Sequence, residues 1–203
     1  MIRKREWALI GFNVLYLLFF TAYYIVQKNY EFLVYVGVVL ALFVFVCVIQ
    51  HRARFPLLVL WLLSLWGLLH MMGGGLHLPS GEVLYRWIPI ELYNAHDANG
   101  EFVILKFDQI LHFYIYFVMS LVIGHIVFTR IGRTMRAGYV ACFVALASMG
   151  VSVINELIEF GAVVYLGQTG VGGYFNTLLD LVFNTFGAVV GSLVALRIYR
   201  RNR

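Results

Sequence analysis

The chain reads as an all-α integral membrane protein, a bundle of six transmembrane helices with both termini in the cytoplasm, and three observations carry that reading. Apolar residues make up 62 % of its 203 residues and charged ones 12 %, a balance that a soluble fold of this size neither needs nor tolerates. Six apolar runs are each long enough to cross a hydrocarbon layer of about 30 Å at about 1.5 Å per residue. The basic residues then cluster in alternate connections, which is what short cytoplasmic loops produce.

Taken in order, the spans fall roughly at 7–26, 32–50, 56–72, 109–129, 137–166 and 174–198, within one membrane domain covering residues 1–203. Arg3, Lys4 and Arg5 precede the first span, which is longer than a signal-peptide core and lacks a small-residue cleavage site, so it reads as a retained helix. Arg52 and Arg54 separate the second and third spans, Arg130, Arg133 and Arg136 the fourth and fifth, and Arg197, Arg200, Arg201 and Arg203 follow the sixth. Only Lys28, Arg86 and Lys106 fall on the opposite side. The net charge of +5 therefore reflects topology. Nucleic-acid binding would need basic residues gathered on one surface beside aromatic platforms, which these loops do not offer. Cys47 and Cys142 both lie in apolar runs and read as packing fillers, not a disulfide. The fifth span is too long for one perpendicular crossing, so it must tilt, kink near Gly150 or project beyond the membrane.

The long connection, 73–108, begins with Gly73, Gly74 and Gly75 and carries interfacial residues such as Tyr85, Trp87 and Tyr93. It turns over Asn94 to Gly100 and returns through Phe102 to Leu105, in a position to act as a lid or as an ordinary interfacial loop. The glycine-rich 167–173 reads as an uncharged turn on the same side. It lacks the GK[ST] ending of a phosphate-binding loop.

Polar residues interrupt the spans at one end. Asp108, His112 and Tyr116 are spaced four apart, which stacks them on one helical face about 6 Å apart. Asn155, Glu156 and Glu159 interrupt the fifth span, Asp180 and Asn184 the sixth, and His70 ends the third. Charged groups at membrane depth are penalised by roughly 2.5–3.5 kcal/mol each on insertion scales, so such residues usually have a use. The topology places all of them in the outer half of the membrane, facing the external or periplasmic side. We therefore expect one cluster, with Asp108, His112, Glu156 and Glu159 as its catalytic residues and His70, Tyr116, Asp180 and Asn184 as its binding residues.

Asp108-x-x-x-His112-Phe113-x-x-Tyr116, then Glu156-x-x-Glu159, then Asp180-x-x-x-Asn184-x-x-Gly187-x-x-x-Gly191 resemble the three-part signature of the VanZ-like membrane proteins. His70 with its following glycines and the run Asn155 to Phe160 resemble, within that group, the YjdF-like inner-membrane proteins of unknown function. Gln109 and Glu159 depart from the usual Lys and Gln of VanZ-like sequences. The resemblance implies a multi-pass membrane protein concerned with the cell envelope and attaches no reaction to the fold.

Four carboxylates lie near one end with no Lys or Arg inside a span beside them, and Lys106 at the rim is the nearest cation. Buried carboxylates take up protons or a cation. The partners available are shared protons, a protonated His70 or His112, or a divalent metal ion, for which Asp108, His112 and Glu156 are the ligands to expect. Two functions from different classes follow. One is a membrane enzyme or binding protein acting on a membrane lipid or a lipid-linked envelope component. The other is a cation- or proton-coupled transporter, which should also show polar residues through the inner half. A third reading is structural, with Asp180 and Asn184 bonding across helices and Gly187 and Gly191 allowing close approach.

Overall fold

The computed structural model describes residues 4–97, 100–130, 135–166 and 173–201. Six helices are long and apolar enough to cross a membrane: α1 (Glu6–Gln27), α2 (Tyr30–Ala53), α3 (Leu57–Gly75), α4 (Phe107–Arg130), α5 (Ala137–Leu166) and α6 (Tyr174–Arg201). The expected all-α, six-helix membrane fold is present. α5 runs unbroken for 30 residues, about 45 Å, so it exceeds the hydrocarbon thickness. The glycine-rich stretch 167–172 and Arg3, Arg133 and Arg203 of the basic pattern lie outside the described residues.

The chain forms two compact units, Met1–Trp87 and Ile88–Arg203. In the first, Asn29 caps α2 by accepting a hydrogen bond from the Phe32 amide (3.1 Å). Lys28 and Arg54 end α1 and α2 in the left-handed region, at φ 55° and 52°. The Gln50 side chain accepts from the Phe55 amide (2.9 Å) and donates to Glu6 Oε1 (2.8 Å), holding the turn into α3. Midway along, Asn13 Nδ2 donates to Ser64 Oγ (2.6 Å) and so bonds α1 to α3.

Gly73, Gly74 and Gly75 do not open the long connection; they are the last turn of α3 and are buried. Their lack of side chains makes room for rings: a Cβ on Gly73 would run into Tyr85, one on Gly74 into Phe32, and one on Gly75 would crowd Tyr24 and Phe20. The connection then divides. Residues 76–87 fold back within the first unit through a 3-10 turn, Leu84–Arg86, which sets Tyr85 on the glycines and on His70.

The second unit opens with an antiparallel hairpin, β1 (Tyr93–Asp97) and β2 (Gly100–Ile104), in which Asn94 opposes Val103. The polar run from Asn94 to Asp97, expected to be a turn, is thus a strand, because its backbone pairs with the apolar return segment. The remaining turn residues, 98–99, lie outside the described residues. Phe102 packs edge-on to Phe175 of α6 (5.6 Å between ring centres). Gln109 is wholly buried and joins hairpin to helix: its Oε1 accepts from the amides of Leu105 (2.6 Å) and Lys106 (3.2 Å), and its Nε2 donates to Val103 O (2.8 Å). This is the side chain of a third helical residue reaching back to the N-terminal amides. It also holds Leu105 at φ 77°, a conformation a leucine adopts only when its surroundings impose it.

α4 and α6 meet backbone to backbone. A Cβ on Gly187 would collide with the Phe113 carbonyl, and one on Gly191 with that of Phe117, so the glycine pair permits the close approach its spacing suggested. Ser120 Oγ donates to Ala188 O (2.9 Å) across this contact, and Ser148 Oγ of α5 donates to Tyr116 O (3.1 Å) of α4. Cys47 and Cys142 are free and exposed on the outer surfaces of their helices. They fill no gap in the packing, because their places on α2 and α5 turn outward.

Candidate functional site

The second unit brings one polar cluster together from three helices. α4 supplies Asp108 and His112, α5 supplies Asn155, Glu156 and Glu159, and α6 supplies Asn176, Asp180 and Asn184. His112 is the hub. Its Nδ1 donates to Asn184 Oδ1 (2.9 Å) and lies 3.5 Å from Glu156 Oε1. Its Nε2 lies 3.6 Å from Asp108 Oδ1 and 3.8 Å from Glu159 Oε1.

Amide side chains set the direction of each charged group. Asn184 Nδ2 donates to Glu156 Oε1 (3.0 Å), so one asparagine joins α4, α5 and α6. Asn176 Nδ2 donates to Asp180 Oδ2 (2.7 Å) and to Asp108 Oδ2 (3.4 Å), while its Oδ1 accepts from Lys106 Nζ (3.3 Å). Asn155 Nδ2 donates to Glu159 Oε1 (2.7 Å). The cluster has a floor and a mouth: Asn184 and Asp180 are 0 % and 1 % exposed, whereas the Asp108 and Glu159 side chains keep 22 % and 17 % of their surface.

Two donor sets share the imidazole. Asp108, His112 and Asp180 each place one donor atom within 4.8 Å of the others, and so do His112, Glu156 and Glu159. Four carboxylates surround one imidazole, with Lys106 held beside them by Asn176, so shared protons or a further cation must offset the remaining negative charge. Asp180 Oδ1 is buried and has no hydrogen-bond partner among the described residues. Buried polar atoms are rarely left so, because the loss of water is then uncompensated.

Of the residues singled out in the sequence, Asp108, His112, Glu156, Glu159, Asp180 and Asn184 are gathered here. Tyr116 lies one turn further along α4 and is buried. His70 belongs to the first unit, where its Nδ1 bonds the Tyr85 hydroxyl and its ring stacks on Trp66 (5.1 Å between centres). Asn176 and Asn155 also belong to the cluster, as the amides that orient its carboxylates. A signal for Asn176 is in the sequence: Asn176, Asp180 and Asn184 repeat the four-residue ladder of Asp108, His112 and Tyr116. Gln109 was seen only as a departure from a pattern, and its work is to bind the hairpin.

The chain belongs to the family described as predicted membrane protein (DUF2238), whose profile matches residues 8–202. Neither a curated protein nor a solved structure matches it.

Proposed function

We propose that this member of the DUF2238 family uses the cluster around His112 to bind, and act on, a membrane lipid or lipid-linked envelope component from the external or periplasmic side of the cell membrane. The observation that carries the reading is the convergence of four carboxylates and one imidazole at one end of three long apolar helices. A carboxylate at the mouth, Asp108 or Glu159, is placed to accept a proton from water or from a substrate hydroxyl. His112, 3.6 and 3.8 Å from them and held by Asn184, fixes the end of the site at which they act. The external placement rests on the basic loops, and the likeness to VanZ-like and YjdF-like sequences supports an envelope role.

A transport path is disfavoured by the serines further along the helices. Among the described residues, Ser120, Ser148, Ser152 and Ser192 each spend their hydroxyl hydrogen on a backbone carbonyl and so serve the packing of the helices. The test is a lipid inventory. Membranes from cells making the wild type should differ from those making His112→Ala in at least one lipid or lipid-linked species, and the purified wild type should retain that species in native mass spectrometry. Identical inventories with no retained species would sink the proposal. A reporter inserted near Asn99 should be active only as an external protein; the reverse would put the site on the cytoplasmic face.

A further inference from the structure

We infer that Asp108, His112 and Asp180 bind one divalent cation of the Mn²⁺ or Zn²⁺ class through His112 Nε2 and the two Oδ1 atoms, which leaves a position for water or substrate. This rests on the reading of the cluster as a working site and names the ion that site holds.

The argument starts from the imidazole. Nδ1 donates its hydrogen to Asn184 Oδ1 at 2.9 Å, so a neutral His112 has its one lone pair on Nε2. A ligating histidine commonly gives its other nitrogen to such an acceptor, which sets both tautomer and ring direction. Nε2 then looks at Asp108 Oδ1 at 3.6 Å, and Glu159 Oε1, 3.8 Å away, belongs to the other donor set. The separation from Asp108 is too long for a hydrogen bond. It suits two ligands of a common ion: bonds of about 2.1 Å in a tetrahedral site put neighbouring donors about 3.4 Å apart.

The two aspartates point the same way. Asn176 occupies Oδ2 of both Asp108 and Asp180 with one amide nitrogen and leaves Oδ1 of each. Asp108 Oδ1 is the atom that faces Nε2, and Asp180 Oδ1 is the buried oxygen with no hydrogen-bond partner among the described residues. A divalent ion supplies that partner and offsets the charge of the carboxylates that bind it. One imidazole with carboxylate oxygens matches Mn²⁺ and Zn²⁺ by ligand type. Glu156 lies on the Nδ1 side, where its Oε1 accepts from Asn184, so it supports the site without ligating. Asn176 and Asn184 are positioning residues.

The full chain, purified in detergent and stripped with chelator, is titrated with Mn²⁺ and followed by electron paramagnetic resonance. We expect one Mn²⁺ per chain, displaced by Zn²⁺, with a nitrogen modulation in the spin-echo signal that vanishes in His112→Gln. Asp180→Asn should weaken Mn²⁺ binding at least a hundredfold and Asn176→Ala about tenfold, both with the melting temperature of the stripped protein preserved. Glu156→Gln, which keeps an acceptor for Asn184, should weaken Mn²⁺ binding by no more than tenfold. Should Asp180→Asn fail to fold, the wild-type spin echo and Glu156→Gln still decide. A wild type that takes up neither ion, a modulation that survives in His112→Gln, or a Glu156→Gln as weak as Asp180→Asn would each overturn the assignment. Lipid retention by a wild type that takes up neither ion overturns the ion alone and leaves the lipid reading in place; ion uptake without any retained lipid does the reverse.

Discussion

The two units treat buried polar groups in opposite ways. In Met1–Trp87 several meet neutral partners at bonding distance: Asn13 with Ser64 and Tyr16, Tyr24 with the Met71 carbonyl, His70 with Tyr85. Glu6, the buried acid there, accepts from Gln50. In Ile88–Arg203 the amides of Asn155, Asn176 and Asn184 are spent on carboxylates, and charge still accumulates around His112. Neutral pairs explain helix association by themselves. An excess of one charge sign does not, and it is the better sign of a ligand.

The largest expected effect tests that difference directly. Mn²⁺ at a hundredfold excess over its dissociation constant should stabilise the wild type by about 2.7 kcal/mol, read as a raised melting temperature in detergent. Asp180→Asn should abolish the shift, whereas His70→Ala should leave it intact while lowering the baseline melt. The shift should also shrink as pH falls, because protons compete with the ion for the same carboxylates and imidazole. A shift lost in His70→Ala would erase the distinction between the units.

Next comes the way helices meet. In the second unit the obstacle to a Cβ at Gly187 is the Phe113 main chain inside a helix, while at Gly74 in the first unit it is the buried Phe32 ring, whose side-chain bonds rotate as a helix backbone cannot. Gly187→Ala should therefore destabilise by roughly 1–3 kcal/mol, the range for overpacking, and Gly74→Ala by less. Gly150→Ala, with no atom within 4 Å, should be neutral or stabilising by up to about 1 kcal/mol. Equal losses at Gly187 and Gly74 in chemical denaturation would show that backbone proximity is not what the glycine pair provides.

The smallest effect concerns neutral pairs. Asn13→Ala removes the bond to Ser64, and the loss should be about 0.6–1.7 kcal/mol, as for other hydrogen bonds between membrane helices. The matching change in the second unit, Glu156→Gln without ion, should lose less than this or gain, since it relieves an uncompensated negative charge. If Glu156→Gln destabilised the ion-free protein more than Asn13→Ala, the carboxylates would be helix glue after all.

What the sequence determined by itself was the class of protein, the six spans to within a few residues, and most of the residues in the cluster. These are local quantities: apolar run length sets the spans, and a spacing of four stacks Asp108 on His112 and Asp180 on Asn184 along their own helices. The glycines at 73–75 show where local reading fails. Their type suggests a flexible loop, and only the rings of Tyr85, Phe32 and Tyr24 approaching from elsewhere in the chain make them a packed helical turn. The division of the long connection between two units, and the service of Gln109 as a clasp, have the same origin. So does the chemistry of the cluster. Which nitrogen of His112 faces Asn184, and which oxygen of Asp180 is left without a partner, depends on how α4, α5 and α6 are rotated against one another. That rotation is decided by contacts such as Gly187 on Phe113, between residues more than seventy positions apart, and no periodicity within one helix encodes it.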